Sequence, residues 1–234
     1  MTIRQFDARF GIPLRLILIL ACLVAAGCTT GYVKSGGEWT YVTINESIGR
    51  EVRKVDADVA TFRVLAAPGY ACDKAHVYKA GVVLEGFDGA TFEFLKGDRY
   101  ARDKNHIYFD DSIVQDADRD TFQVLGRQYA RDARNVYDGS LRMNVAHPDA
   151  FHVLDEGSVD ERNGLSYFYS TDDLVNRLGS EFADHQVLYE AKGQDDRYRI
   201  VIPSAGTATD GEWLYEGPKR SRRVHDGGGR VGLQ

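Results

Sequence analysis

The sequence predicts a mainly β protein: tandem β-hairpin repeats of about 30 residues, stacked as a curved sheet or solenoid, with a small α+β C-terminal cap. Two periodic patterns and one chemical alternation predict it. Phe-x-(Val/Phe)-Leu occurs at Phe62-Arg63-Val64-Leu65, Phe92-Glu93-Phe94-Leu95, Phe122-Gln123-Val124-Leu125 and Phe151-His152-Val153-Leu154, at spacings of 30, 30 and 29 residues. Downstream, Tyr70-Ala71-Cys72-Asp73, Tyr100-Ala101-Arg102-Asp103 and Tyr129-Ala130-Arg131-Asp132 align. Each leads to a pair of one β-branched residue and a tyrosine: Val77-Tyr78, Ile107-Tyr108 or Val136-Tyr137. Between these short apolar runs lie Asp, Asn, Lys and Gly, the chemistry of turns between strands.

Residues 1–27 read as a lipoprotein signal peptide. Arg4, Arg9 and Arg15 precede an apolar run from Leu16 to Ala26. That run suits a signal core and is too short to cross a bilayer as a helix, which needs roughly 20 residues. Ala25-Ala26-Gly27-Cys28 supplies small residues before a cysteine, so Cys28 is the expected acylation site. Several acyl chains on one residue give stable anchoring, since each buried CH₂ contributes about 0.8 kcal/mol. Thr29, rather than Asp, after the cysteine directs the expectation to the outer membrane, facing the periplasm or the surface. Cleavage removes three Arg and one Asp and leaves a net charge of about −8, unfavourable for nucleic acid. Cys22 is lost with the signal, so Cys72 remains as a lone thiol and packing replaces a disulfide framework.

The repeats are expected to fill residues 28–167. An opening half-copy begins at Tyr32, with Tyr41 in the place of the strand tyrosine. In the full copies Asp58, Asp88 and Asp118 stand four residues before the Phe, and Thr61, Thr91 and Thr121 directly before it. Asp-x-x-Thr-Phe suits a single helical turn with the Asp as its cap. The Asp-Lys-Asn segment then forms a hairpin turn in which Asn105 takes the left-handed conformation. A decayed fourth copy is read at Val159-Asp160-Glu161-Arg162-Asn163, closed by Tyr167.

Asp103-Lys104-Asn105-His106-Ile107-Tyr108, with its variants Asp73-Lys74-Ala75-His76-Val77-Tyr78 and Asp132-Ala133-Arg134-Asn135-Val136-Tyr137, resembles the DKNYY-repeat family, named for this motif. The resemblance covers about residues 32–167. It implies a repetitive exported or surface domain, and it brings no catalytic residues.

Residues 168–215 are expected to form the α+β cap. Ser170-Thr171-Asp172-Asp173 resembles a helix start, with Leu174, Leu178 and Phe182 on one face. Val187-Leu188-Tyr189, residues 198–202 and Trp213-Leu214-Tyr215 read as strands. Residues 216–234, with Lys219, Arg220, Arg222 and Arg223 among many glycines, read as a disordered tail.

No motif of enzyme chemistry stands out. His76 and His106 occupy equivalent positions, yet strands two spacings apart hold them too far apart for one zinc. Asp116-Ala117-Asp118-Arg119-Asp120 mimics a calcium loop but has Thr121 and Arg127 where Gly and Glu are needed. Cys72 replaces the Arg of the other copies and is expected to face solvent without a base. The acid pairs Asp110-Asp111 and Asp172-Asp173 are adjacent in sequence, so their side chains point apart or sit in a turn. The expected function is therefore that of a non-enzymatic envelope protein, membrane-bound through Cys28 and engaging another envelope protein, without cofactor, metal or nucleic acid. The alternative is a peptidoglycan- or polysaccharide-binding module whose repeated tyrosines stack on sugars.

Overall fold

The computed structural model describes residues 30–47, 49–157, 164–203 and 205–224. The signal segment with Cys28, the stretch 159–163 and the last ten residues of the tail lie outside the described residues. Among the described residues no helix is long and apolar enough to cross a membrane.

A three-stranded antiparallel meander opens the fold: β1 (Gly31–Ser35), β2 (Glu38–Asn45) and β3 (Gly49–Val55). Its first turn is the pair Gly36-Gly37, both at positive φ, as a two-residue hairpin turn matched to strand twist requires. Tyr41 lies opposite Tyr32, whereas Tyr78, Tyr108 and Tyr137 of the later units lie opposite an alanine. The opening meander is thus a different hairpin from the repeats, and the expected equivalence of Tyr41 does not hold.

Three four-stranded antiparallel sheets follow, each with its strands in sequence order. The first contains β4 (Arg63–Val64), β5 (Tyr70–Cys72), β6 (Val77–Lys79) and β7 (Val82–Leu84). The second contains β8 (Glu93–Phe94), β9 (Tyr100–Arg102), β10 (Ile107–Phe109) and β11 (Ser112–Ile113). The third contains β12 (Gln123–Val124), β13 (Tyr129–Arg131), β14 (Val136–Asp138) and β15 (Leu141–Arg142). Before the first strand of each unit, a hydrogen-bonded turn closes on an aspartate; the N–H of Phe62, for example, donates to the carbonyl of Asp58 at 2.9 Å. The chain takes positive φ at Ala80, Asp110 and Gly139, in the turn after the second hairpin strand. Asn105 is not among the positive-φ residues, so the expected left-handed turn belongs five residues further on.

The fourth unit is split. β16 (His152–Asp155) pairs not with a following strand but with β19 (Thr207–Thr209), which continues into β20 (Trp213–Glu216) and β21 (Lys219–Arg223). The insertion between them holds β17 (Leu165–Phe168) paired with β18 (Ile200–Pro203), and helix α1 (Thr171–Leu178). The Ser170 hydroxyl caps α1 by accepting the Asp173 N–H at 3.1 Å. Val187-Leu188-Tyr189 forms no strand, and Lys219–Arg223, expected to be disordered, is one.

Successive units stack through both faces of each small sheet. Tyr70, Cys72 and Val77 of the first unit join Phe92, Ala101 and Tyr108 of the second in one apolar cluster. Ala71 and Tyr78, on the opposite face, pack with Tyr41 and Val55 of the opening meander. The second and third units share a cluster in the same way, as do the third and fourth. This corrects two expectations. Cys72 is fully buried rather than solvent-facing, and burial pushes its thiol up. The units also meet face to face rather than edge to edge, so side-chain packing, about 10 Å thick, separates equivalent residues.

Candidate functional site

The feature that recurs in every unit is a buried aspartate. Asp73, Asp103, Asp132 and Asp210 are each less than a tenth exposed. One oxygen of each side chain closes the tight turn after it. Asp103 Oδ1 accepts the N–H groups of Asn105 and His106 at 2.7 and 2.8 Å, and Asp73, Asp132 and Asp210 do the same two and three residues on. The other oxygen reaches back to the head of the unit. Asp73, Asp103 and Asp132 accept there from the N–H of Asp58, Asp88 and Asp118, each at 2.9 Å. The same oxygen accepts the hydroxyl of a tyrosine five residues on: Tyr78, Tyr108, Tyr137 and Tyr215, at 2.7, 2.8, 2.7 and 2.7 Å.

These locks explain the residue types of the motif. The tyrosine lies opposite Ala71, Ala101, Ala130 or Ala208, all fully buried, because only a small side chain leaves room for the ring. Lys74 and Lys104 fold back on Asp58 and Asp88 at 2.6 and 2.7 Å. The hydroxyls of Thr61, Thr91 and Thr121 accept the N–H of the residue after each lock aspartate, at 3.1, 2.9 and 3.1 Å. In the fourth unit His147 Nε2 lies within hydrogen-bond distance of the Glu212 carboxylate, at 3.1 Å.

Burial alone raises the Asp73 carboxyl, but the donors around it outweigh that and hold it at about 2. Asp132 and Asp210 are lowered by the same balance. Burial first, and then the neighbouring carboxylate, pushes Tyr78, Tyr108 and Tyr137 well above an ordinary phenol, and Tyr215 to about 12. An ionised acceptor facing a phenol that keeps its proton is a structural hydrogen bond, not an acid–base pair poised near neutrality.

A second set of tyrosines joins one unit to the next. The Tyr32 hydroxyl donates to the Gly69 carbonyl and accepts the Gly81 N–H, both at 3.1 Å. Tyr100 reaches the Gly139 carbonyl at 2.9 Å, and Tyr129 the Gly217 carbonyl at 3.2 Å. All seven tyrosines of the repeat strands, Tyr70, Tyr78, Tyr100, Tyr108, Tyr129, Tyr137 and Tyr215, are buried. That removes them as stacking platforms for sugars.

The other candidates are scattered. His76 lies 3.8 Å from Asp73 and beside Tyr78, and His106 holds the equivalent place beside Tyr108. The described residues contain no group of three or more His, Cys, Asp or Glu able to hold a metal. Asp110 is clamped by Arg99 at 2.7 Å and Asp111 by Arg199 at 2.7 Å. Asp210 and Tyr215 escaped the sequence reading, although Ala208-x-Asp210-x-x-x-x-Tyr215 repeats the spacing of the first three locks.

The fold and its locks define a tandem-repeat protein whose recurring polar residues hold the repeat together. The chain belongs to the DKNYY family, whose model matches residues 41–173. No curated protein and no solved structure matches it significantly.

Proposed function

We propose that the chain is a non-enzymatic, lipid-anchored module of the bacterial cell envelope, whose stacked units present a rigid surface to another envelope protein. The observation that supports this most is the use of its repeated chemistry. The aspartates, tyrosines and threonines recurring at the repeat period are buried or hydrogen-bonded inside their own unit, which leaves the outer surface of the ladder for recognition. The family match agrees with a structural or interaction role. The anchor rests on the sequence: a basic start, an apolar run and Ala25-Ala26-Gly27-Cys28. Thr29 after the cysteine favours the outer membrane.

Two experiments test the reading. Cys28→Ala is expected to abolish both signal cleavage and labelling by radioactive palmitate; continued labelling moves the anchor to Cys22 and contradicts the assignment. Crosslinking in intact envelopes, run beside binding to purified peptidoglycan, is expected to return a protein partner. Capture by peptidoglycan alone overturns the protein-interaction role.

A further inference from the structure

We propose that a groove where the first, second and third units meet the insertion binds a single acidic sugar residue. The groove has a volume of about 280 Å³, just under the usual range for drug-sized ligands, roughly 300–1,000 Å³. One sugar ring is the scale that fits. Ala67, Pro68 and Leu165 give it an apolar floor, suited to the C–H face of a pyranose. Lys79, Arg99 and Arg127 stand around it with Asp98 and Asp110, a local excess of one positive charge on a chain of net charge −6.

These side chains are not equivalent. Arg99 is held by Asp110 at 2.7 Å and lies over the Phe109 ring. Lys79 faces Asp111 at 3.5 Å and lies over Tyr70. Arg127 has no ion pair or hydrogen bond among the described residues, so its guanidinium fork is open to a ligand carboxylate. Asp98, equally unpaired, can accept two sugar hydroxyls.

The stacking surface comes from β17. Leu165 and Tyr167 are two residues apart on that strand and share a face, and Tyr167 is 39% exposed. Tyr167 stands beside the groove rather than in its lining; burial raises its phenol first, and the charges of Arg199, Asp111, Asp110 and Lys79 follow. Arg199 packs over the ring at 5.2 Å and fixes its plane. Of the repeat tyrosines, Tyr70 borders the groove while staying buried under Lys79, so the stacking ring is Tyr167, and the site stands whether or not the chain carries an anchor.

The test is saturation-transfer NMR and calorimetry on the mature chain with glucuronate, glucose and vesicles containing anionic phospholipid. Glucuronate is expected to bind, with glucose at least tenfold weaker. Tyr167→Ala and Arg127→Gln are each expected to weaken glucuronate at least tenfold. Tyr169→Ala, which removes an exposed ring elsewhere on the insertion, should bind as the parent does, and unchanged melting temperatures of Tyr167→Ala and Arg127→Gln show that their loss is not a folding effect. Equal binding of glucuronate and glucose overturns the acidic specificity. No glucuronate binding by the parent, unchanged affinity in Tyr167→Ala, or vesicle binding that depends on Arg127 in place of sugar binding overturns the site.

Discussion

Each lock aspartate takes four donated hydrogen bonds or more: two close its own turn, and the rest come from the head of the unit and from a tyrosine hydroxyl. Bonds to a charged acceptor are stronger than neutral ones, and losing one partner in a buried set costs about 1–3 kcal/mol. The same donors hold the Asp73 carboxyl at about 2, below the ordinary value of about 3.9. A carboxyl held low in the folded state contributes stability that is complete above its unfolded value and lost as pH falls through the folded one. Asp73 alone should contribute about 2–3 kcal/mol on this basis, and Asp132 and Asp210 shift the same way. Thermal stability is therefore expected to fall between about pH 4 and pH 2. Asp73→Asn should be clearly less stable at pH 7, with the gap to the parent narrowing through that interval; a pH-independent gap in melting temperature would contradict the lock.

At the level of elements, the strands were legible because aromatic and β-branched residues pair across turn chemistry. Their surroundings were less so. A strand of three residues shows no clear alternation, and Tyr70, Ala71 and Cys72 are all buried because a unit lies against each face of the sheet. That is why Cys72 looked like a surface substitution. The left-handed turn falls elsewhere than its composition suggests for a related reason. Asn105 has the composition of a left-handed residue, but an aspartate two positions earlier already satisfies its N–H, and the reversal falls at Asp110. The third unit's counterpart, Gly139, has φ of 60°, and a Cβ there would lie 2.3 Å from the Val201 carbonyl oxygen. Gly139→Ala should therefore destabilise the fold by more than 1 kcal/mol and loosen β18, whereas Asn105→Val should cost less than 1 kcal/mol. Denaturant unfolding of the two variants checks the order, and a larger loss in Asn105→Val would refute the placement of the turn.

For the whole molecule, a period of about 30 residues was enough to predict a stack of units. It was not enough to find the fourth. Its first strand lies at 152–155 and its remaining strands at 207–223, and no local pattern announces a break of that length inside one sheet. In the fourth unit Thr207 occupies the place of Tyr70, Tyr100 and Tyr129, so no ring leaves that face. At that end Arg220 and Arg223 lie over Trp213 at 4.9 and 5.0 Å, a charged cover of the kind a terminal repeat needs.

Neighbour interfaces hold the protein together, and hydrogen exchange on Phe92→Ala is the sharpest check of that. Phe92 is fully buried in the cluster shared by the first and second units, where its loss should cost about 3–5 kcal/mol. Protection is expected to weaken strongly in β5, β6, β9 and β10, with β20 and β21 retaining much more of theirs. Equal loss of protection across the chain, from β2 to β21, would show a single cooperative core and contradict the ladder.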